Sequence, residues 1–261
     1  MRKLGLHLKL KLEALTEAEL YAHLNPTVPI SLDFAMDNTP FTTDTALIER
    51  ISRYSGLIFD MDGTLCDSEP MHHAANDHML KELGFHPLPL EVLESYAGLP
   101  DGPMFEDMLN RLEQSGELST ERRHSDPALT IEALRAHKIR VYEGFYMPKV
   151  PAFESMLSLV KECAARGQRL ALATSSPRSQ ADYLLEHFGI KDCFASIITG
   201  NMVEHGKPHP DIFLLAAQSL NLGSADCLVF EDGAHGLAAA KAAHMDAIKC
   251  LNGHFDVFFP A

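Results

Sequence analysis

The chain has 261 residues, 46% of them hydrophobic and 22% charged, ordinary proportions for a soluble globular protein with one or two domains of about 150 residues. Its net charge of −14 repels phosphate backbones and anionic lipid, which argues against nucleic acid and membrane surfaces as partners. No run approaches the ~18 apolar residues that span a bilayer, and the N-terminus lacks the continuous apolar stretch of a secretory signal.

Residues 1–53 read as an N-terminal extension that packs passively on the body rather than as a docking arm. Leu4, Leu6, Leu8, Leu10 and Leu12 alternate with Gly5, His7, Lys9 and Lys11, the period of a strand. Thr16 and Glu19 form a capping box for a helix over 17–24. The stretch 25–45 is irregular, with Pro26, Pro29 and Pro40, and 47–54 is a short helix.

Regular patterning starts at residues 56–60, an apolar run ending in Asp60. A helix over 69–83 closes at Gly84, which suits the C′ position. Further helices follow at 89–96 and 103–114, then a longer one with Asp126 as N-cap and Pro127 at N1. No strand interrupts 69–149, so the block reads as an all-helical insertion. Beyond it helices (151–166, 177–188, 210–220, 234–243) alternate with strands (169–174, 196–199, 227–230, 247–251). That order implies an α/β protein with a Rossmann-like parallel sheet and right-handed crossovers. Function is then expected at the carboxyl ends of the strands. Cys66, Cys163, Cys193, Cys227 and Cys250 are odd in number and form no CxxC pair. They read as reduced, mostly buried thiols of a cytoplasmic protein.

Four of the strand-end loops carry reactive residues. Asp60-Met61-Asp62-Gly63-Thr64 places two carboxylates on a turning chain; one can attack while the other works as acid and base. Thr174-Ser175-Ser176 offers hydroxyls and N–H groups before a helix, an anion site. Lys207 sits between Gly206 and Pro208, fixed for neutralising a phosphoryl group or a carboxylate. Glu231 and Asp232 supply oxygen ligands suited to a hard divalent cation. Taken singly, each has an ordinary reading: an Asx turn, an N-cap, a solvated lysine, an acidic turn.

Together and in this order the four resemble the motifs of the haloacid dehalogenase superfamily of aspartate-dependent phosphohydrolases, over residues 54–251. The helical insertion resembles the cap of the subfamily with beta-phosphoglucomutase and phosphoglycolate phosphatase. GLIFDMDGTLCDSEP, GKPHPDIFLLAAQ and VFEDGAHGLAAAKAAHMDA look closest to fructose-1-phosphate/6-phosphogluconate phosphatase-like proteins. The resemblance implies a catalytic core at 54–68 and 150–261 and a helical cap at 69–149. It implies Asp60 as nucleophile, Asp62 as acid/base, and Thr174, Ser175 and Ser176 around the phosphoryl group, with Lys207 balancing charge. A magnesium ion (Mg2+) would be held by Asp60, the Asp62 carbonyl and Asp232, with Glu231 in support. The implied substrate is a small phosphorylated sugar or sugar acid, and the implied state a monomer or weak dimer.

Several positions depart from the pattern or extend it. Gly233 stands where the fourth motif commonly has serine, His244 replaces the glycine of an AGM ending, and His235 is expected to face solvent. In the helical insertion His72 and the pair Lys138/Tyr142 match substrate-side positions of the family. Gly98-Leu99-Pro100-Asp101 falls where the mutase carries an arginine for a second phosphate; the aspartate favours hydrolysis over a beta-phosphoglucomutase-like isomerase, with Arg178 a partial substitute. A third reading is a non-enzymatic binding protein on the same scaffold.

Overall fold

The computed structural model describes residues 44–96, 99 and 101–261. The strand and helix expected within 1–43, and Gly98 and Pro100 of the loop before Asp101, lie outside the described residues.

Among the described residues six strands form one sheet: β1 (Gly56–Phe59), β2 (Arg169–Thr174), β3 (Ser196–Thr199), β4 (Cys227–Glu231), β5 (Asp246–Leu251) and β6 (His254–Phe259), in the order β3-β2-β1-β4-β5-β6. The first five are parallel. β1 is GLIF, buried at all four positions, as a central strand covered on both faces requires. Leu57 and Phe59 join one hydrophobic cluster and Ile58 the other, because successive side chains point to opposite faces. Phe59 stacks on Phe230 of β4, with centroids 4.4 Å apart.

Flanking helices complete both layers: α1 (Asp44–Ile51), α7 (Glu154–Ala165) and α8 (Arg178–His187) on the first, α9 (Asp211–Ser219) and α10 (Ala234–Ala242) on the second. Leu47 and Ile51 of α1 are buried in the first cluster, so this part of the extension belongs to the core. The sheet also runs further than the sequence reading. After β5 the chain turns at Asn252 (φ 49) and Gly253 (φ 73) and returns as the antiparallel edge strand β6. An Asn-Gly pair with both φ values positive is the signature of a two-residue hairpin. His244 is also left-handed (φ 55); it follows Ala243, the C-cap of α10, at the position where glycine is usual.

Between β1 and β2 lie α2 (Glu69–Glu82), α3 (Leu90–Glu94), α4 (Asp101–Gln114), α5 (Thr120–Ser125) and α6 (Ile131–Val141). They gather a third cluster, including Met79, Phe85, Phe105, Met108, Leu112 and Leu134, that contains no strand residue. The long helix expected from Asp126 is broken. Asp126 caps only a short turn, accepting from the Ala128 N–H at 3.0 Å, and Thr130 starts α6 anew by accepting from the Ala133 N–H at 3.2 Å. Two cap residues four positions apart each satisfy orphan donors, so the helix restarts. α6 leads into a π-helical turn at Tyr142–Tyr146. All five cysteines are free, four of them buried. Among the described residues no helix is long and apolar enough to cross a membrane.

Candidate active site

The strand order reverses between β1 and β4, and at such a switch point a parallel sheet leaves a crevice beyond its carboxyl ends. The register sets Phe59 opposite both Leu172 and Phe230, so the residues just after β1, β2 and β4 are neighbours. Asp60 follows β1, and its N–H donates to the Phe230 carbonyl at 2.9 Å. Lys207, from the loop before α9, reaches in and donates from Nζ to Asp60 Oδ1 at 2.6 Å and to Glu231 Oε2 at 2.8 Å. The three side chains are 8%, 8% and 5% exposed. Burial, reinforced by the Glu231 charge, pushes the Asp60 carboxyl well above the usual carboxylate range. Burial works against the Lys207 charge, but the two carboxylates outweigh it and raise its pKa. Lys207 is therefore a fixed ammonium with two anions on it.

Asp232 adds a third carboxylate. Burial, then the charges of Glu231 and Asp60, push it up to about 9. Oxygen atoms of Asp60, Glu231 and Asp232 all lie within 4.8 Å of one another. Three carboxylates against one ammonium leave a deficit of positive charge, and an all-oxygen donor set suits a hard divalent cation. The residues present thus fit magnesium. Glu231 is the least available of the three: Oε2 is held by Lys207, and Oε1 accepts the Gly233 N–H at 3.2 Å. Two glycines make the packing possible. A Cβ on Gly63 (φ 78) would overlap the Asp232 carboxylate, and one on Gly236 would overlap that of Glu231. Gly236 thus lets α10 approach the charged Glu231 side chain.

Asp62 is clamped on both oxygens. Ser68 Oγ donates to Oδ1 and Ser176 Oγ to Oδ2, each at 2.6 Å. The Ser176 hydroxyl, expected to face substrate, is directed to Asp62. The buried Thr174 accepts the Ser176 N–H at 3.0 Å, closing a tight turn before α8. Ser175 is exposed at the strand end. Ser68 was not singled out in the sequence, where nothing near it marks a long-range partner.

The positions expected on the substrate side from the resemblance lie on the helices between β1 and β2. His72 stacks on Tyr142 with centroids 4.1 Å apart; burial lowers its pKa, opposed by the Asp62 charge. Lys138 Nζ donates to Asp101 Oδ1 at 3.2 Å, and Arg135 Nε to Oδ2 at 3.3 Å. Arg178 is tied to Asp182 on its own helix at 2.8 Å.

A family model described as haloacid dehalogenase-like hydrolase matches residues 57–250. The chain belongs to the haloacid dehalogenase-like hydrolases. Among its curated relatives, the fructose-1-phosphate phosphatase YqaB of Escherichia coli is 33% identical over 196 residues, 75% of this chain and 96% of that protein. A phosphoglycolate phosphatase of Neisseria gonorrhoeae is 31% identical over 207 residues, 79% of this chain and 84% of that one. Among solved structures, CbbY from Rhodobacter sphaeroides in complex with phosphate superposes with a TM-score of 0.62 at 26% identity, covering 75% of this chain and 85% of that one.

Within this hydrolase family's pattern, the departures have structural readings. Gly233 caps α10 with an unstrained φ of −93; a Cβ there would meet Glu231 Oε1 at 3.6 Å, ordinary contact. His235 is half-buried rather than solvent-facing, because it sits in the first turn of α10 beside Glu231, and burial lowers its pKa.

Proposed function

We propose that this hydrolase cleaves the phosphate monoester of a small sugar or sugar acid through an aspartyl-phosphate on Asp60. The observation that carries the reading is the pairing of two unlike carboxylates on one loop. Asp60 is buried against Lys207, and Asp62 is held beside it by two hydroxyls. The names of the relatives, phosphatases of fructose 1-phosphate and phosphoglycolate, support the substrate class.

In the first half-reaction an Asp60 oxygen attacks phosphorus and the ester oxygen leaves, taking a proton from Asp62. In the second, Asp62 removes a proton from water as that water attacks phosphorus. Phosphate departs and Asp60 is regenerated. Lys207 keeps Asp60 beside a positive charge and partners the phosphoryl oxygens, and the Thr174 hydroxyl and Ser175 N–H bind the same group. The carboxylates of Asp60 and Asp232 and the Asp62 carbonyl would hold a magnesium ion, with Glu231 behind them; it would offset the phosphoryl charge and let Asp60 react ionised. Residues 69–149 serve as the helical cap that excludes bulk water over a core of 54–68 and 150–261, with 1–53 as an extension. Asp101, bound to Lys138, supports hydrolysis over a mutase, since a bisphosphate would meet a carboxylate there.

The test is phosphate release from a panel of monoesters with magnesium present. Turnover should stop on chelation and should fall by at least ~10³-fold in Asp60→Asn, which keeps the shape of the side chain but removes the nucleophile. An unchanged rate in that variant refutes the mechanism.

A further inference from the structure

After β1 the chain leaves the sheet through an irregular turn. The N–H groups of Thr64, Leu65 and Cys66 converge on the Met61 carbonyl, at 3.3, 2.8 and 3.2 Å. Residues 64–68 belong to neither β1 nor α2, so their place is set by what lies beside them. Beside them runs the chain that returns to α7. Cys66 bridges Asp62 on one side and Ala152 on the other. The Asp67 N–H donates to the Pro151 carbonyl at 3.0 Å, and the Phe153 N–H to the Leu65 carbonyl at 2.9 Å. Ser68, whose hydroxyl holds Asp62, follows directly. Two supports of Asp62, the Cys66 bridge and the Ser68 hydroxyl, thus rest on residues 151–153.

Those residues are held in turn by the hairpin between β5 and β6. Gly253 is buried, and its carbonyl accepts from Ser155 Oγ at 2.6 Å. A Cβ on Gly253 would lie 2.6 Å from both Cβ and Cγ of Phe153, far inside the roughly 3.5–4.0 Å at which carbon atoms pack. The Phe153 Cβ cannot swing aside as the end of a side chain could, so the backbone at Phe153 would have to move. That backbone carries the N–H bound to Leu65, and the displacement would pass to the turn that bears Asp62.

We propose that the turn between β5 and β6 is a positioning element for Asp62, with Gly253 and Ser155 as its positioning residues. The proposal rests on the acid/base role given to Asp62 above and adds residues that touch neither substrate nor the reacting atoms. The turn backs Phe153, Phe153 fixes Leu65 and Cys66, and these set where the Asp62 carboxyl meets the ester oxygen. A general acid must lie within about 2.6–3.2 Å of the atom it protonates, so a small shift of the turn costs rate. The cost depends on the ester. A sugar alkoxide is a poor leaving group and needs the proton, whereas nitrophenolate departs without it.

The experiment measures kcat/KM, which reports the steps up to departure of the alcohol, for fructose 1-phosphate and p-nitrophenyl phosphate with magnesium present. Gly253→Ala should lower the value about tenfold for fructose 1-phosphate and at most about twofold for p-nitrophenyl phosphate. Gly167→Ala is the control for backbone strain alone. Gly167 is also left-handed (φ 82, against 73 at Gly253), but a Cβ there meets nothing within 4 Å. Both variants should lower Tm by a few degrees, and only Gly253→Ala should change the ratio of the two esters. Ser155→Ala should shift that ratio in the same direction by about two- to threefold, and Ser155→Thr, which keeps the hydroxyl, should not. A ratio unchanged in Gly253→Ala overturns the proposal, as does an equal shift in Gly167→Ala. Should Gly253→Ala fail to fold, an unchanged ratio in Ser155→Ala overturns it. Absence of phosphate release from both esters in the wild-type chain would instead sink the phosphatase reading, and the positioning role with it.

Discussion

At the ends of β1 and β4, charged side chains are held by one another: Lys207 on Asp60 and Glu231, two serine hydroxyls on Asp62. In the helices between β1 and β2, Lys138 and Arg135 pair with Asp101, but His72 Nδ1 and Asn76 Oδ1 are buried and unpaired among the described residues. The difference follows from what each region must do. Phosphoryl transfer needs charges fixed before substrate arrives, because reorganising them during the reaction costs rate. A buried polar atom without a partner costs free energy, a cost that the paired charges of the sheet's corner avoid.

The comparison can be broken most severely at Lys207. Lys207→Met leaves Asp60 and Glu231 buried without their cation. It should cost about 3–5 kcal/mol in chemical denaturation and lower kcat by at least ~10²-fold; added magnesium should recover part of the lost stability but not the rate. A variant as stable and as active as the parent would show that the corner is not held by charge.

The serine clamp is the next test. Ser68→Ala and Ser176→Ala each remove one charge-assisted bond to Asp62 and should each reduce kcat by roughly tenfold with little change in KM. The double variant should lose more than either. If kcat is insensitive to both, Asp62 is positioned by other means.

The helical side is probed through pH. Burial lowers the His72 pKa in the folded chain, so between that value and the unfolded value of about 6.5 the unfolded chain takes up the proton more readily. Stability should fall as pH drops through about 6.5, and His72→Phe, which keeps the stacking on Tyr142, should flatten the profile of Tm against pH. An identical profile in the variant would assign the acid sensitivity elsewhere. The smallest effect is expected at Gly233. Gly233→Ser meets only ordinary contact with Glu231 and should leave stability within ~0.5 kcal/mol and the rate within about twofold. A large loss would mean that the glycine is needed by the loop.

Much of the sheet, and the position of the candidate site residues at its strand ends, was legible in the sequence. The strands at 56, 169, 196, 227 and 247 announced themselves as short apolar runs between amphipathic helices, and the reactive residues sit at their ends as a parallel sheet demands. The misses have local causes. Asn252-Gly253 is a strong hairpin signal, but the half-exposed β6 behind it, with Asp256 among aromatic residues, reads as a tail when only buried strands are sought. Asp126-Pro127 is itself a helix-start signal and masks the second start at Thr130. α5 is a six-residue helix with no buried residue, and so has no apolar stripe to find.

What the sequence determined by itself is the inventory: which loops carry carboxylate, hydroxyl and ammonium groups, and in what order along an alternating α/β pattern. Those features are local, written in periodicity, turn residues and short motifs. Only the tertiary structure decided the pairings, because each joins residues that are distant along the chain. Ser176 and Ser68 meet on Asp62 because β2 lies beside β1. Gly236 accommodates the Glu231 carboxylate because α10 folds back on β4. Asp101 reaches Lys138 because α4 and α6 pack side by side. Which groups end paired and which stay open is set by packing across the whole fold.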